Sequence, residues 1–595
     1  MHSRIVLLAA LCLAPVCFAA PDGEALYKQH CATCHDGPAQ SRMPPRSELA
    51  NRAPESIYRA LSEGAMKIQA AALSPDEDRA IASFLTGKAF ATAPTATAGA
   101  CKGTPAPVRV SEAGGWNGWG NDLANTRYQP NPGLTAADIP NLKLKWAFAF
   151  AGDTARSAQP AVVGGRVFVG SASGSIYSLD AATGCTWWKY DAGTTVRTAV
   201  SVGQAGGKTL AWFGDTKSTV HALDANTGQL LWKLKIEEHP ASRITGAPTF
   251  HNGRLYVPVS SVEEAFAMQP TYECCKFRGS VVALDAATGK QIWKSYSVLD
   301  PPTAIGKNDK GTQLWGPAGG AIWSAPTIDV KKNALYAGTG NSYTGSSFNT
   351  SDAIMAFDLD TGKLLWSSQV QSKDNFTMGC GRGANCPPDP GPDFDFGTSP
   401  ILRELPGGKR VLLCGQKSGI MWGLDPDDRG KILWQAKVGQ GSALGGIEWG
   451  STADLQNVYV PISDLLKRGE GKPGGLHAIN IATGEKLWTA APPELHCTAG
   501  AKGCTGAQSA AISSIPGVVF SGSVDGHFRA YAARTGAIIW DYDTVHDYET
   551  VNGVPGKGGS LDSAGPVIAN GMVFTNSGYG MWQGLPGNVL LAFSK

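Results

Sequence analysis

This sequence has little charge and no excess of either sign. Asp, Glu, Lys and Arg together make up 17% of its 595 residues, and the net charge is +2. That balance gives no electrostatic case for nucleic acid or for an anionic membrane surface. Beyond the first twenty residues no charge-free hydrophobic run reaches the length of a bilayer crossing, so no membrane span is expected. What is abundant is glycine (74) and tryptophan (17). That mixture suits many short strands joined by tight turns and argues against long amphipathic helices. A chain this long is expected to be a repeat architecture, because one core of ordinary size does not grow to 595 residues.

Residues 1–20 combine a basic start (His2, Arg4), an apolar run from Ile5 to Val16 and the small-residue end Phe18-Ala19-Ala20. This is the pattern of a Sec-type signal peptide and implies export to the periplasm. Disulfides are expected in that oxidising compartment. Of the 13 cysteines, Cys12 and Cys17 lie in the leader. Cys380/Cys386 and Cys497/Cys504 are close pairs in glycine-rich loops, Cys101 and Cys185 form a further candidate pair, and Cys414 in the apolar run from Val411 reads as a free buried thiol.

Residues 21–90 carry Cys31-Ala32-Thr33-Cys34-His35. Two thiols three apart on a helical turn reach the two haem vinyl groups, and the adjacent imidazole faces the iron, so one covalent haem c is expected. The second axial ligand is Met66 or Met43. Met66 precedes Leu73-Ser74-Pro75-Asp76-Glu77, a helix start of capping-box type, in the layout of class I cytochrome c domains, which this segment resembles. Residues 91–108 are rich in Ala, Thr and Pro and read as a linker.

From residue 109 to 595 one turn recurs seven times. The copies are Asp180…Gly184…Trp188, Asp224…Gly228…Trp232, Asp285…Gly289…Trp293, Asp358…Gly362…Trp366, Asp425…Gly430…Trp434, Asn480…Gly484…Trp488 and Tyr531…Gly536…Trp540. The acid and a Thr bond backbone groups, Gly supplies positive φ, and the Trp opens the last strand of the unit. The spacing is that of four-stranded propeller blades with insertions. An eighth blade is expected to be shared between the chain ends, Asn141–Trp146 pairing with Asn588–Phe593, which removes an open edge. The fold class is therefore an all-β eight-bladed propeller with a small all-α N-terminal cytochrome c domain.

Several segments of the propeller resemble the pyrroloquinoline quinone (PQQ)-dependent quinohaemoprotein alcohol dehydrogenases. Asn117–Asp122 with Asn125-Thr126-Arg127-Tyr128 is similar to that family's opening motif. Ser242-Arg243-Ile244-Thr245-Gly246-Ala247-Pro248 resembles the segment whose Thr, here Thr245, bonds a PQQ carboxylate, and Arg197 is a second candidate for those carboxylates. Trp323 stands where the family's indole lies under the quinone. Glu263 (or Glu264), Asn341 and Asp352 stand for the Ca²⁺ ligands, oxygen donors suited to a hard cation, and Asp352 doubles as the general base. Lys417 stands for the cation at the reactive quinone oxygen, with Glu448 and Trp449 beside it. Cys274-Cys275 is similar to the family's vicinal disulfide over PQQ.

Four departures accompany the resemblance. Asp352 lies six residues before the turn acid Asp358 where the family has about eleven, so a strand-start role stays open for it. Glu448 replaces an Asn. The cysteine pair falls between Glu263 and Arg278 instead of on an earlier blade. The cytochrome precedes the propeller, an order that resembles the branch acting on polymeric alcohols such as polyvinyl alcohol. The resemblance implies oxidation of an alcohol, small or polymeric, with PQQ, Ca²⁺ and haem c as cofactors and a periplasmic electron acceptor as partner. The alternatives are an enzyme for small primary or secondary alcohols, or a non-enzymatic propeller scaffold with a haem sensor.

Overall fold

The structure is a computed structural model that describes the chain apart from residues 1–20, 37–43, 51, 53, 63–65, 68, 91–98, 111–113, 346–347, 382–384, 466–471, 496–503 and 583. The leader, Met43 and Cys497 therefore lie outside the described residues. Eight sheets of four or more strands follow one another around a ring, with strands pairing antiparallel to the next in sequence but for two exceptions. Ser242–Arg243 pairs with Arg254–Ser261, past Thr249–His251; the other exception is the sheet that closes the ring. There Lys143–Ala149 pairs with Val589–Ser594, Phe148 opposite Leu590, so the chain ends share one blade as expected. No helix among the described residues is long and apolar enough to cross a membrane.

The repeated turn explains how the blades join. In six copies the Asp or Asn side chain accepts from backbone amides two and three residues on, as Asp180 does from Ala182 (3.1 Å) and Thr183 (3.0 Å). The glycine that follows has positive φ, 75° at Gly184. It also meets the indole of the preceding blade: a Cβ built at Gly184, Gly228, Gly289, Gly362, Gly430, Gly484 or Gly536 would lie 2.6–2.8 Å from a ring atom of Trp146, Trp188, Trp232, Trp293, Trp366, Trp434 or Trp488. Several of these indoles also donate to the turn they cover, as Trp188 Nε1 does to Ala225 O at 3.1 Å. Trp540 has no such turn ahead of it and packs edge-on against Phe593 of the closing blade (5.3 Å).

The opening motif forms a plug across the ring. Asn125 donates to the carbonyls of Ala325 and Pro326 and to Thr327 Oγ1, and Arg127 reaches Ile512 O, Gln159 Oε1 and Ser513 Oγ. Three blades are thereby tied at one end of the channel.

The N-terminal segment is helical: α1 (Gly23–His30), α2 (Ala32–His35), α3 (Arg46–Leu49), α4 (Pro54–Ser62) and α5 (Pro75–Thr86). The expected capping box opens α5, with Ser74 and Glu77 as its partners. Disulfides join Cys101 to Cys185 and Cys380 to Cys386. Cys504 is disulfide-bonded and Cys414 is free and buried.

The close approach of glycine to indole is separable from its backbone conformation. Gly228→Ala is expected to cost about 3 kcal/mol, a left-handed residue plus overpacking. Gly165→Ala, at φ 73° with no atom within 4 Å of the added carbon, is expected to cost only about 1 kcal/mol. Equal losses in calorimetric unfolding would show that the indole contact contributes nothing.

Candidate active site

One register positions the site. Arg197, Thr245, Trp323, Glu448 and Ser509 each lie four residues before the first strand of their blade (strands Ser201–Ala205, Thr249–His251, Thr327–Asp329, Thr452–Ala453 and Ser513–Ile515). Gly397 holds the same place before Ile401–Glu404, and Asp562 precedes Val567–Ala569 by five. Equivalent positions of a closed ring converge, so residues hundreds of positions apart meet.

The aromatic part is a pair of indoles. Trp323 and Trp449 pack edge to face, centroids 5.3 Å apart at 83°. Room for Trp323 comes from Gly397, where a Cβ would lie 2.2 Å from the indole. Thr245 Oγ1 donates to the Trp323 carbonyl (3.4 Å), so its hydroxyl braces the strand that carries the indole. Trp449 Nε1 donates to Asp562 Oδ1 (2.8 Å), and the Arg197 guanidinium lies 4.2 Å from the centre of the Trp449 ring. Burial pulls the Arg197 guanidinium below its ordinary range, against the pull of Tyr579, Glu448 and Asp562. Arg243 is pushed down to about 10 by burial and by Arg197.

Next to the indoles lies a carboxylate cluster around one ammonium. Lys417 Nζ sits 5.4 Å from the centre of the Trp323 ring, 2.8 Å from Asp395 Oδ2 and 3.5 Å from Asp393 Oδ1. Asp395 Oδ1 accepts from the Asn341 amide (2.8 Å), and Asp374 accepts from the amides of Asp393 and Phe394. The Asn341 side-chain nitrogen donates to Ser342 O and Phe376 O, which leaves its oxygen as the acceptor. Asp352 is fully buried at φ 46°, and neither of its carboxylate oxygens has a partner. Its pKa is driven well above the carboxylate range by burial, then by Asp374, Asp395 and Asp393, with Lys417 opposing.

Glu263 sits elsewhere in the network. Its carboxylate, fully buried, accepts from Tyr272 Oη (2.9 Å) and from the amides of Lys276 (2.9 Å) and Phe277 (2.8 Å). It thereby clamps the segment holding Cys274 and Cys275, which are bonded to each other and buried in the apolar cluster on which Trp323 packs. Among the described residues no three His, Cys, Asp or Glu side chains are arranged to hold a metal ion. In the helical segment, Cys31 and Cys34 are outside any disulfide, and His35 Nδ1 donates to Pro44 O (2.8 Å), an orientation that leaves Nε2 for iron. Met66 packs against the core of the same segment.

Sequence reasoning missed Arg243, Asp374, Asp393, Asp395, Asp562 and Tyr579. The register four to six residues before each first strand is the signal that would have found Asp395 and Asp562. Arg243 stood two residues before Thr245, in a segment already singled out.

The family described as outer membrane protein assembly factor BamB matches residues 108–273, 277–496, 417–557 and 472–594, and that described as cytochrome C oxidase, cbb3-type, subunit III matches 18–85. The chain is 46% identical to a polyvinylalcohol dehydrogenase of Pseudomonas sp. over 96% of its length and 93% of that protein. It is 43% identical to one of Sphingopyxis sp. (strain 113P3), covering 96% and 92%. Quinohemoprotein alcohol dehydrogenase ADH IIB of Pseudomonas putida is 27% identical over 74% of this chain and 71% of its own. Among solved structures, that of quinohemoprotein alcohol dehydrogenase ADHIIG from Pseudomonas putida HK5 has the same fold, with TM-score 0.62, 21% identity and coverage of 81% and 80%. The protein is thus an alcohol dehydrogenase of the quinohaemoprotein class, whose members imply PQQ and haem. Within that class the chain belongs to the polyvinylalcohol dehydrogenase family.

The buried acids give the site a pH signature. Glu448 is raised to about 8 by burial, with Lys417 opposing and Asp562, Asp393 and Asp395 reinforcing. A carboxyl raised on folding binds more protons folded than unfolded, so its contribution to stability falls as pH rises from about 5 to about 8, by up to about 1.4 kcal/mol per pH unit. Glu448→Gln is expected to flatten the stability–pH curve of the cofactor-free protein by one proton over that window. Parallel curves in urea unfolding would place the Glu448 pKa in the ordinary range.

Proposed function

We propose that the chain is a periplasmic quinohaemoprotein that oxidises a secondary or polymeric alcohol, polyvinyl alcohol in particular, to the ketone and passes the electrons to its own haem c. The observation that carries the reading is the buried, unpartnered carboxyl of Asp352 beside Asn341 and the Lys417–Asp395 pair, at the channel end where Trp323 and Trp449 meet. The names of the relatives at 46% and 43% identity support the polymer as substrate.

The residues present fit PQQ. Trp323 would lie against the flat ring, and Arg197 and Arg243, half-buried and making no ion pair with a carboxylate among the described residues, would take its carboxylates. They fit a calcium ion as well, since Asp352 brings two free oxygens and Asn341 an amide oxygen. Glu263 would join only by sharing oxygens that already serve Tyr272 and two backbone amides. When bound, PQQ supplies a quinone carbonyl as hydride acceptor and Ca²⁺ polarises it.

Asp352 would supply the carboxylate that takes the hydroxyl proton of the alcohol, and a cation bound beside it would offset its three acidic neighbours. Lys417 Nζ holds positive charge where negative charge develops and is itself held by Asp395. Thr245 and Gly397 fix the indole, and the Cys274–Cys275 segment covers its apolar side. In the haem domain, residues 21–90, Cys31 and Cys34 would attach the haem and His35 and Met66 would ligate its iron, a His/Met pair that raises the potential and suits an electron acceptor.

Reconstitution with PQQ and Ca²⁺, followed by haem reduction on adding polyvinyl alcohol or a panel of small alcohols, tests the reading. Polyvinyl alcohol is expected to reduce the haem. Asp352→Ala is expected to lower turnover at least about 100-fold while PQQ uptake is retained. Turnover near normal in that variant would move the base to another carboxylate, and haem reduction by small primary alcohols alone would replace the substrate assignment.

A further inference from the structure

The connection that carries Trp323 into its strand holds an insertion that takes no part in the ring. Between Gln291–Tyr296 and Thr327–Asp329 the chain forms a separate hairpin, Thr303–Lys307 paired with Gln313–Gly316. Its second strand is fixed to the site. The Trp315 amide donates to Cys274 O (2.8 Å), and the Trp315 carbonyl accepts from the Cys275 amide (3.1 Å). Leu314 packs against the same apolar cluster as Trp323. The tip of the hairpin is tied to a second insertion, where Asn308 Nδ2 donates to Asn385 Oδ1 (2.9 Å) beside the Cys380–Cys386 disulfide. That insertion lies in the connection that brings Asp374, Asp393 and Asp395 to the site.

The first strand of the hairpin is left open. Every residue of Thr303–Lys307 is exposed, and the strand pairs with none but Gln313–Gly316, so one edge of amide and carbonyl groups faces solvent. Ile305 on this strand is 47% exposed. It leans over Gly316 beside Thr344, three residues past Asn341: a Cβ built at Gly316 would stand 3.2 Å from Ile305 Cδ1 and 3.1 Å from Thr344 Oγ1. On the second strand the half-buried Trp315 indole is held by Lys276, whose Nζ is 4.2 Å from the ring centre, and by Glu273, which accepts from Nε1 (3.2 Å). An exposed strand edge with apolar side chains is a surface that proteins ordinarily cover or use for binding.

We propose that this hairpin is a subsite for a polymeric secondary alcohol, holding the units that flank the carbinol being oxidised. The inference rests on the proposed oxidation of such a polymer. A chain that alternates methylene and carbinol carries apolar surface and hydroxyl groups together along its whole length. One carbinol occupies the pocket at Asp352, and its neighbours in the chain lie outside. The hairpin stands at that end of the ring because it belongs to the connection that delivers Trp323. Ile305 and Trp315 take methylenes, and the open edge of Thr303–Lys307 exchanges hydrogen bonds with hydroxyls. Both side chains are positioning residues: they set the preference for a long chain and touch no reacting atom.

Two readouts test it. Electrophoresis of the cofactor-free full chain in gels with and without polyvinyl alcohol reads binding, and haem reduction by the PQQ- and Ca²⁺-loaded chain, over polymers of increasing length, reads turnover. The unaltered chain is expected to be retarded by the polymer and to show a KM per carbinol that falls as the polymer lengthens. Ile305→Asn is expected to lose most of the retardation and to raise KM for long polymer about tenfold, with kcat within about twofold. Trp315→Ala is expected to act in the same way; should it fail to fold, the exposed Ile305 position carries the test alone. Leu455→Asn, at an exposed apolar residue of another blade, is expected to change neither readout. Unaltered retardation and KM in Ile305→Asn, or an equal loss in Leu455→Asn, would overturn the subsite. So would a dimer in sedimentation that Ile305→Asn dissociates while polymer kinetics stay unchanged, since the edge would then serve a second copy of the chain. A chain that is retarded by the polymer but whose haem the polymer never reduces would overturn the proposed oxidation instead.

Discussion

The contact between a turn glycine and the indole of the preceding blade is the constraint from which the rest of this molecule follows. It occurs at seven of the eight joints, always with the ring where a Cβ would stand. A blade alone is a small sheet with two apolar faces and marginal stability. Repeating one joint around the ring buries both faces, and sharing the last blade between the chain ends closes the ring. Because every joint has the same chemistry, insertions such as Thr303–Gly316 can form their own two-stranded sheet, here bonded to the Cys274–Cys275 segment through Trp315.

Closure also creates the site. Segments entering the first strands converge at one end of the channel, so a cluster of charge forms there from residues drawn from several blades. Burial costs are high for each group alone. They are offset unequally: Lys417 is paired with Asp395, Trp449 with Asp562, and Glu263 with three donors, whereas Asp352 has nothing. A buried carboxylate with neither oxygen met marks the place where a ligand belongs.

The ring was legible in the sequence because its signals are local: the turn acid, the glycine and the tryptophan recur in fixed order, and both ends of the closing blade read as strands. The haem motif was legible for the same reason, as five contiguous residues. The site was legible only where resemblance supplied single positions. Trp323, Lys417, Asn341, Asp352 and Arg197 were placed that way, and the structure brings them to one end of the channel. Glu263 shows the limit, since spacing selected an acid and only the folded chain shows its oxygens engaged in holding the Cys274–Cys275 segment. Asp374, Asp393 and Asp395 sit in a long connection with no repeat signature, so nothing local distinguished them from solvated loop acids.

The central claim is that the paired indoles and the two half-buried arginines form the seat of a flat, tricarboxylated quinone. Titrating the purified haem protein with PQQ in the presence of Ca²⁺, while following tryptophan fluorescence, tests it most directly. Quenching that saturates at one PQQ per chain, and that is lost in Arg197→Ala and diminished in Trp323→Phe, is the predicted result. Saturable quenching that persists unchanged in both variants would place the quinone elsewhere and contradict the account.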